Sequence, residues 1–208
     1  MTEVEDDSVN EMVTHRLFSE EDIDNAIKEC NFNKGLGPDG FDGNILTKGN
    51  PEVENPVADS LRRQILMMLN QGMIPKYLRE CRLIPLSKNK GKEEALLKDI
   101  RPIIVRSHIS KVMEKAILAK AEHLAPHLLK TGLYQTGFKE GQSTAIHVSK
   151  LLEQVHPGRG KTARKYAALI DLQKAYDTVN REKLWDILKN RCKNDEEKTL
   201  IELVVRMH

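Results

Sequence analysis

The chain has little cysteine: Cys30, Cys81 and Cys192 are odd in number, widely spaced, and form no C-x-x-C pair. That argues against a disulfide framework or a thiolate zinc site and fits a reducing compartment, where such residues are ordinary half-buried side chains. Long apolar runs are missing too. Nowhere do ~18 apolar residues follow one another, the length needed to span a bilayer. The start, "MTEVEDDSVNEM", is acidic and has neither the basic flank nor the apolar stretch of a signal peptide. The expectation is an intracellular protein, nuclear or cytoplasmic, not secreted and with no membrane partner. Excess charge of one sign is also absent: 33 basic side chains oppose 31 acidic ones, a net of +2. A nucleic-acid partner therefore has to be argued from where the cations sit, not from their total. No internal repeat, low-complexity tract or clear interdomain linker is visible.

What is present suits a folded chain. With 208 residues, 39% of them apolar, there is material for one full core or for two small subdomains sharing a cleft. Ser19 and Asp22 open a helix whose Ile23, Ala26, Ile27 and Cys30 share one face, ending near Asn31. A glycine-rich loop, "NKGLGPDGFDG", follows, then a helical pattern through Leu61, Ile65, Leu66 and Leu69 that Pro75 closes. Short apolar runs at 83–86 and 102–105 predict two strands joined by a basic, Lys-rich loop. Ser110 is placed to cap a helix bearing Val112, Met113, Ala116 and Ile117, and a further helical pattern runs from Ala145 through Leu151, Leu152 and Val155. Tyr166 to Leu172 is the strongest strand candidate. From Lys174 the pattern turns helical through Leu184, Trp185 and Leu188, and a last amphipathic run carries Leu200, Ile201, Val204 and Val205.

Several motif-like stretches fail on inspection. Gly35, Gly37 and Gly40 have the spacing of a dinucleotide fingerprint, but a helix precedes them and Pro38-Asp39-Gly40 reads as a turn. The loop's glycines still allow close approach to another backbone, so it could touch a polymer. "GRGKT" lacks the first glycine of a phosphate-binding loop, since Val155 stands there. Its cations, Arg159, Lys161, Arg164 and Lys165, fit a solvated loop or a phosphate-backbone contact. His123 and His127 are four apart without the intervening glutamate of a metalloprotease pair, which leaves them surface or packing roles. Asp171 differs, because an acid at the mouth of the run Ala167 to Ile170 is costly unless compensated. A helix N-terminus, a cation or a divalent metal would serve, and capping of the next helix is the commonest of these uses.

Five blocks then occur in order: "KGLGPDGF" (34–41), "RLIPLSKNKG" (82–91), "DIRPI" (99–103), "QTGFKEGQST" (135–144) and "ALIDLQKAYDTVNREKLWDIL" (168–188). Together they resemble the reverse transcriptase domain of non-LTR retrotransposons, over roughly residues 15–190. The resemblance implies an α+β fold, the fingers and partial palm of a right-hand polymerase, helix-rich with a small antiparallel sheet. Residues 1–17 would be an acidic lead, 18–130 a fingers-like region, and 131–208 a partial palm with the first catalytic motif.

By the same resemblance Asp171 is the catalytic acid that binds Mg²⁺, and the Leu172 carbonyl is a second metal ligand. Lys88 and Arg101 grip the triphosphate of a deoxynucleotide, tasks suited to a compact charge and a forked donor. Tyr176 lies beneath the incoming sugar, where a core aromatic on a helix is the plain alternative. Gly37 and Pro38 follow the template strand, and Gln135 and Phe138 lie near it. Asp177, also present in the motif, reads as structural. Partners would be an RNA template, a DNA primer and deoxynucleotides.

Several elements of the pattern are not matched in these residues, among them the motif that lines the nucleotide pocket, the thumb and the endonuclease. A complete palm needs an adjacent Asp-Asp pair, and no such pair follows Asp6-Asp7. The expectation is a truncated reverse transcriptase-like protein, ancestrally an RNA-directed DNA polymerase working by two metal ions, inactive alone and binding Mg²⁺ only if its palm is completed. The alternative is a non-catalytic RNA-binding or structural component of a ribonucleoprotein that uses the basic loops at 82–92 and 159–165. A third reading, a partial reading frame with an exposed palm face, predicts self-association.

Overall fold

The structure is a computed structural model that describes residues 16–47, 55–87, 100–132, 134–139, 141–155, 166, 168–172 and 175–208. The chain divides into two compact units, one made of described residues up to Leu128 together with Trp185–His208, the other of Leu129–Leu184. Among the described residues the fold is α+β, helix-rich with a small two-stranded antiparallel sheet.

The first unit starts with α1 (Glu20–Glu29). The expected cap forms as a reciprocal pair: Ser19 Oγ accepts the Asp22 N–H, and Asp22 Oδ2 accepts the Ser19 N–H at 2.8 Å. Two backbone donors that a helix start leaves without partners are thereby satisfied. Ile23, Ala26 and Ile27 are buried as their spacing predicts. A single turn, α2 (Asn44–Thr47), precedes α3 (Pro56–Gln71), which begins with proline at its first position and is capped by Asn55. It stops before the expected Pro75. Gly72 takes a left-handed φ of 65° and its N–H returns to the Leu69 carbonyl, so a glycine cap ends the helix.

After α4 (Lys76–Arg79) come β1 (Cys81–Ser87) and β2 (Ile100–Arg106), paired antiparallel from Cys81 opposite Arg106 to Ser87 opposite Ile100. These are the two expected strands, each extended by a residue or more at either end. The next helix, α5 (His108–Leu124), starts earlier than expected, because Ser107 rather than Ser110 is its cap and accepts the Ile109 N–H. Ser110 lies inside the first turn, where its hydroxyl donates to the Leu78 carbonyl at 2.6 Å. A short turn, α6 (Pro126–Leu129), follows. Late in the chain α8 (Arg181–Arg191) leads to α9 (Asp195–Met207), capped by Asn194. Leu200, Leu203 and Met207 enter the same core as Ile23, Val112 and Met113. Residues 185–208, the last part of the region expected as a partial palm (131–208), belong to the first unit, and Leu200, Leu203 and Met207 to its core.

The second unit contains α7 (Thr144–Val155), none of whose side chains is buried. The expected strand at 166–172 does not form: its described residues have no regular secondary structure, and Leu169, Ile170 and Leu172 are 98%, 87% and 73% exposed. A strand exists through cross-strand hydrogen bonds, and the β1–β2 ladder is the sole sheet among the described residues. An apolar run without a partner ladder stays irregular. The helical pattern expected from Lys174 begins at Arg181 instead, behind a turn at 175–178, and Asn180 Oδ1 accepts the Lys183 N–H. Lys174 itself lies outside the described residues. No described helix is long and apolar enough to cross a membrane.

Candidate functional site

Three of the sequence blocks meet in the first unit. The turn Gly37-Pro38-Asp39-Gly40 closes through the Gly40 N–H on the Gly37 carbonyl at 3.2 Å, as expected for Pro-Asp-Gly. Gly37 is buried against the strand-to-helix junction, and a Cβ built there would lie 2.6 Å from the Ser107 nitrogen and 2.8 Å from the Arg106 carbonyl carbon. Only glycine lets the two backbones approach this closely. Arg82, the second residue of β1, reaches the Gly37 carbonyl through Nη2 at 3.5 Å.

Strand alternation then fixes which groups share a face. Arg82, Ile84 and Leu86 of β1 lie on the same side as Val105, Ile103 and Arg101 of β2, with Leu86 directly opposite Arg101. Arg101 is exposed and sits about 13 Å along the ribbon from Arg82 at the usual strand rise. The glycine loop and the expected triphosphate-gripping arginine therefore border one face of the hairpin, with an arginine towards each end of it. Lys88 lies outside the described residues.

In the second unit the structure brings together Phe138 and Tyr176, whose rings meet edge to face with centroids 6.5 Å apart. Phe138 has φ 60°, a left-handed conformation uncommon for a bulky residue, and both rings are largely exposed. Gln135 is exposed too, its N–H held by the Gly132 carbonyl at 3.1 Å. Beside this turn, Tyr134, Thr136, His147 and Lys150 line an open cleft of about 430 Å³, and Thr136 Oγ1 stands 3.1 Å from His147 Nδ1. No family model matches the chain, and no curated protein is significantly similar to it.

Asp171 and Leu172 are exposed, in irregular backbone rather than at a strand mouth. The compensation that a buried carboxylate would demand is not needed for a solvated one. Mg²⁺ is ordinarily held by one or two carboxylates with waters and substrate phosphates completing its six oxygens, and the described residues contain no group of three or more His, Cys, Asp or Glu able to hold a metal. The described residues do not fit a metal centre, and no chemical step is assigned to one. At two of the cysteines, Cys30 and Cys192, burial pushes the thiol up, away from the reactive thiolate. Cys81 is exposed, unlike the half-buried environment expected of it. His127 serves packing, its Nε2 facing the Arg191 carbonyl at 3.2 Å and Glu197 at 3.5 Å.

Two side chains of this region go unmarked by motif spacing. Arg82 sits inside a quoted block but reads as a plain surface cation until its bond to Gly37 is seen. His108 is fully buried and accepts the Gly43 N–H at 2.9 Å through Nδ1. The signal for it was available: His108 lies four residues before Val112, on the apolar stripe of α5, where a polar side chain calls for a partner.

Proposed function

We propose that this chain is a reverse transcriptase-like protein of the non-LTR type, carrying the fingers and the opening segment of a palm, and that its first unit binds nucleic acid. The observation that carries the reading is the convergence of residues 34–41, 82–87 and 100–103, the described parts of three blocks, around Gly37, Arg82 and Arg101. A phosphate backbone would run along the exposed hairpin face between the two guanidinium groups, which suit bidentate contact with phosphate. Phe138 and Tyr176, from the fourth and fifth blocks, add a second exposed aromatic site of the kind on which bases stack. Polymerisation would need carboxylates beyond Asp171, so nucleotidyl transfer is not assigned to these 208 residues alone.

Two measurements test this. Single-stranded RNA should bind with a salt-dependent affinity, and Arg101→Glu or Arg82→Glu should weaken it several-fold and reduce the salt slope by about one per cation removed. Unchanged affinity in both variants would overturn the interface. Primer extension with Mg²⁺ and deoxynucleotides should give no product from the isolated chain, and product that survives Asp171→Ala would remove that residue from the site.

The solvated, unclustered state of Asp171 favours one further reading, a non-catalytic RNA-binding or structural component of a ribonucleoprotein. Affinity indifferent to Mg²⁺ and to deoxynucleotide would support it.

A further inference from the structure

The ring of His108 is 0% exposed at the first position of α5. Because Nδ1 accepts the Gly43 N–H, the ring is neutral with its proton on Nε2, and Nε2 is buried as well. Phe32 packs on the ring with centroids 5.3 Å apart. Gly43 slots in beside it so closely that a Cβ there would lie 2.1 Å from Phe32 Cδ1. The adjacent residue, Ser107, supplies the backbone against which Gly37 is pressed. The loop is thus docked at both ends on two consecutive residues of one helix start.

We propose that His108 is a positioning residue: when neutral, it latches the loop Gly37–Gly43 onto the start of α5 and so sets that loop beside the arginine-bearing face of the hairpin, and protonation of its ring releases the loop. A proton on Nδ1 would place two N–H groups head to head and create a cation in an enclosed, half-apolar site. The charged groups around the ring are divided. Burial is the leading effect and Lys111, one turn along α5, adds to it, while Asp42, Asp39 and the Lys34 backbone on the loop oppose them. The helix N-terminus also disfavours a cation. The balance holds His108 below its ordinary value of 6.5. A group lowered by folding stabilises the latched form above its free value, and that stabilisation fades as pH falls through the latched one.

Amide hydrogen exchange on the whole chain tests the latch without any assumption about function. With a free-state value near 6.5, opening of the loop should rise by up to roughly thirtyfold between about pH 7.5 and 5, after correction for intrinsic exchange. The Gly43 amide should report this, while core amides of α5 and α9 keep their protection. His108→Asn retains an acceptor near the Nδ1 position but cannot be protonated, so the pH dependence should vanish. A flat wild-type profile, or an equal dependence in the Asn variant, overturns the proposal. The wild-type profile alone decides if the variant does not fold.

The ligand arm rests on the nucleic-acid reading. Affinity for a single-stranded RNA oligonucleotide should fall on acidification in the wild type relative to His108→Asn. Equal responses in the two proteins overturn the positioning role. A pH-dependent Gly43 amide in a protein that binds no RNA at any pH upholds the latch and overturns the interface.

Discussion

At Gly37 a single hydrogen atom decides whether the loop can dock. The atoms that a methyl group would meet there, at 2.6 to 2.8 Å, are backbone atoms of Arg106 and Ser107, which cannot swing aside as a side-chain tip could. Gly37→Ala should therefore cost about 1–3 kcal/mol, the range for forced overpacking, read as a lower denaturant midpoint. Gly35→Ala two residues away is the control: nothing lies within 4 Å of its Cβ position, and it should be near neutral.

Asp22 makes a second prediction at this scale. Burial pushes its carboxyl up, but hydrogen bonds from Lys120 and Ser19 and the charge of Lys120 outweigh that and hold it below its ordinary value of 3.8. Stability from this group is present above that value and lost as pH falls below it. Lys120→Met should flatten the acid limb of stability against pH, and an unchanged limb would show that Ser19 alone sets the carboxyl. Ser19 and Asp22 were legible in the sequence because capping leaves a local signature, whereas the close approach expected of Gly37 was to a polymer and the one it makes is to the Arg106 and Ser107 backbone. The partner of His108 and the Arg82–Gly37 bond were not legible, because these contacts join segments 65 and 45 residues apart.

The hairpin poses a question at the scale of the element. Pro85 stands directly opposite Pro102. Two facing prolines can occupy only a pair that exchanges no ladder hydrogen bonds, so each missing N–H falls on the outer edge of its strand. Both edges are thereby interrupted near their middles, a recognised defence against strand addition in a ribbon whose Leu83, Ile84, Leu86, Ile103 and Ile104 are exposed. Replacing both prolines by valine restores the two donors and removes the defence. Concentration-dependent self-association of the double variant, by light scattering, is the expected result, and a purely monomeric double variant would show that the edges are protected by something else.

The elements themselves were largely readable from apolar spacing: α1, α3, α5, α9 and both strands lie where periodicity put them, within the usual slippage at their ends. The segment at 166–172 was not, since its composition describes a strand while strand formation depends on a neighbour that periodicity does not reveal.

At the scale of the whole molecule, apolar side chains are used unequally. The first unit encloses Ile23, Ile65, Leu69, Val112, Met113 and Leu203 at 2% exposure or less. In the second, Tyr134, Phe138, Tyr166, Leu169 and Ile170 are all more than 85% exposed, and α7 buries nothing. Local opening energies follow buried contacts, so the second unit should be the weaker of the two. Trypsin should cut first within residues 129–184, where Lys139 and Lys150 are exposed.

Such a nick separates α9 from α5 in sequence but not in the core. Leu200, Ile201, Leu203 and Met207 remain buried in the first unit, at roughly 2 kcal/mol each for side chains of this size. Arg106 Nη2 donates to the Met207 carbonyl at 2.8 Å, and Arg206 Nη1 to the Gly72 carbonyl at 2.9 Å, tying both sides of the cut together. The two pieces should therefore co-elute on size exclusion without denaturant and part in urea. Leu203→Asp, which puts an unpaired charge at a position 0% exposed, should make them part without it. Pieces of the wild-type chain that separate spontaneously after the cut would mean that α9 is held by chain connectivity and not by the core it enters.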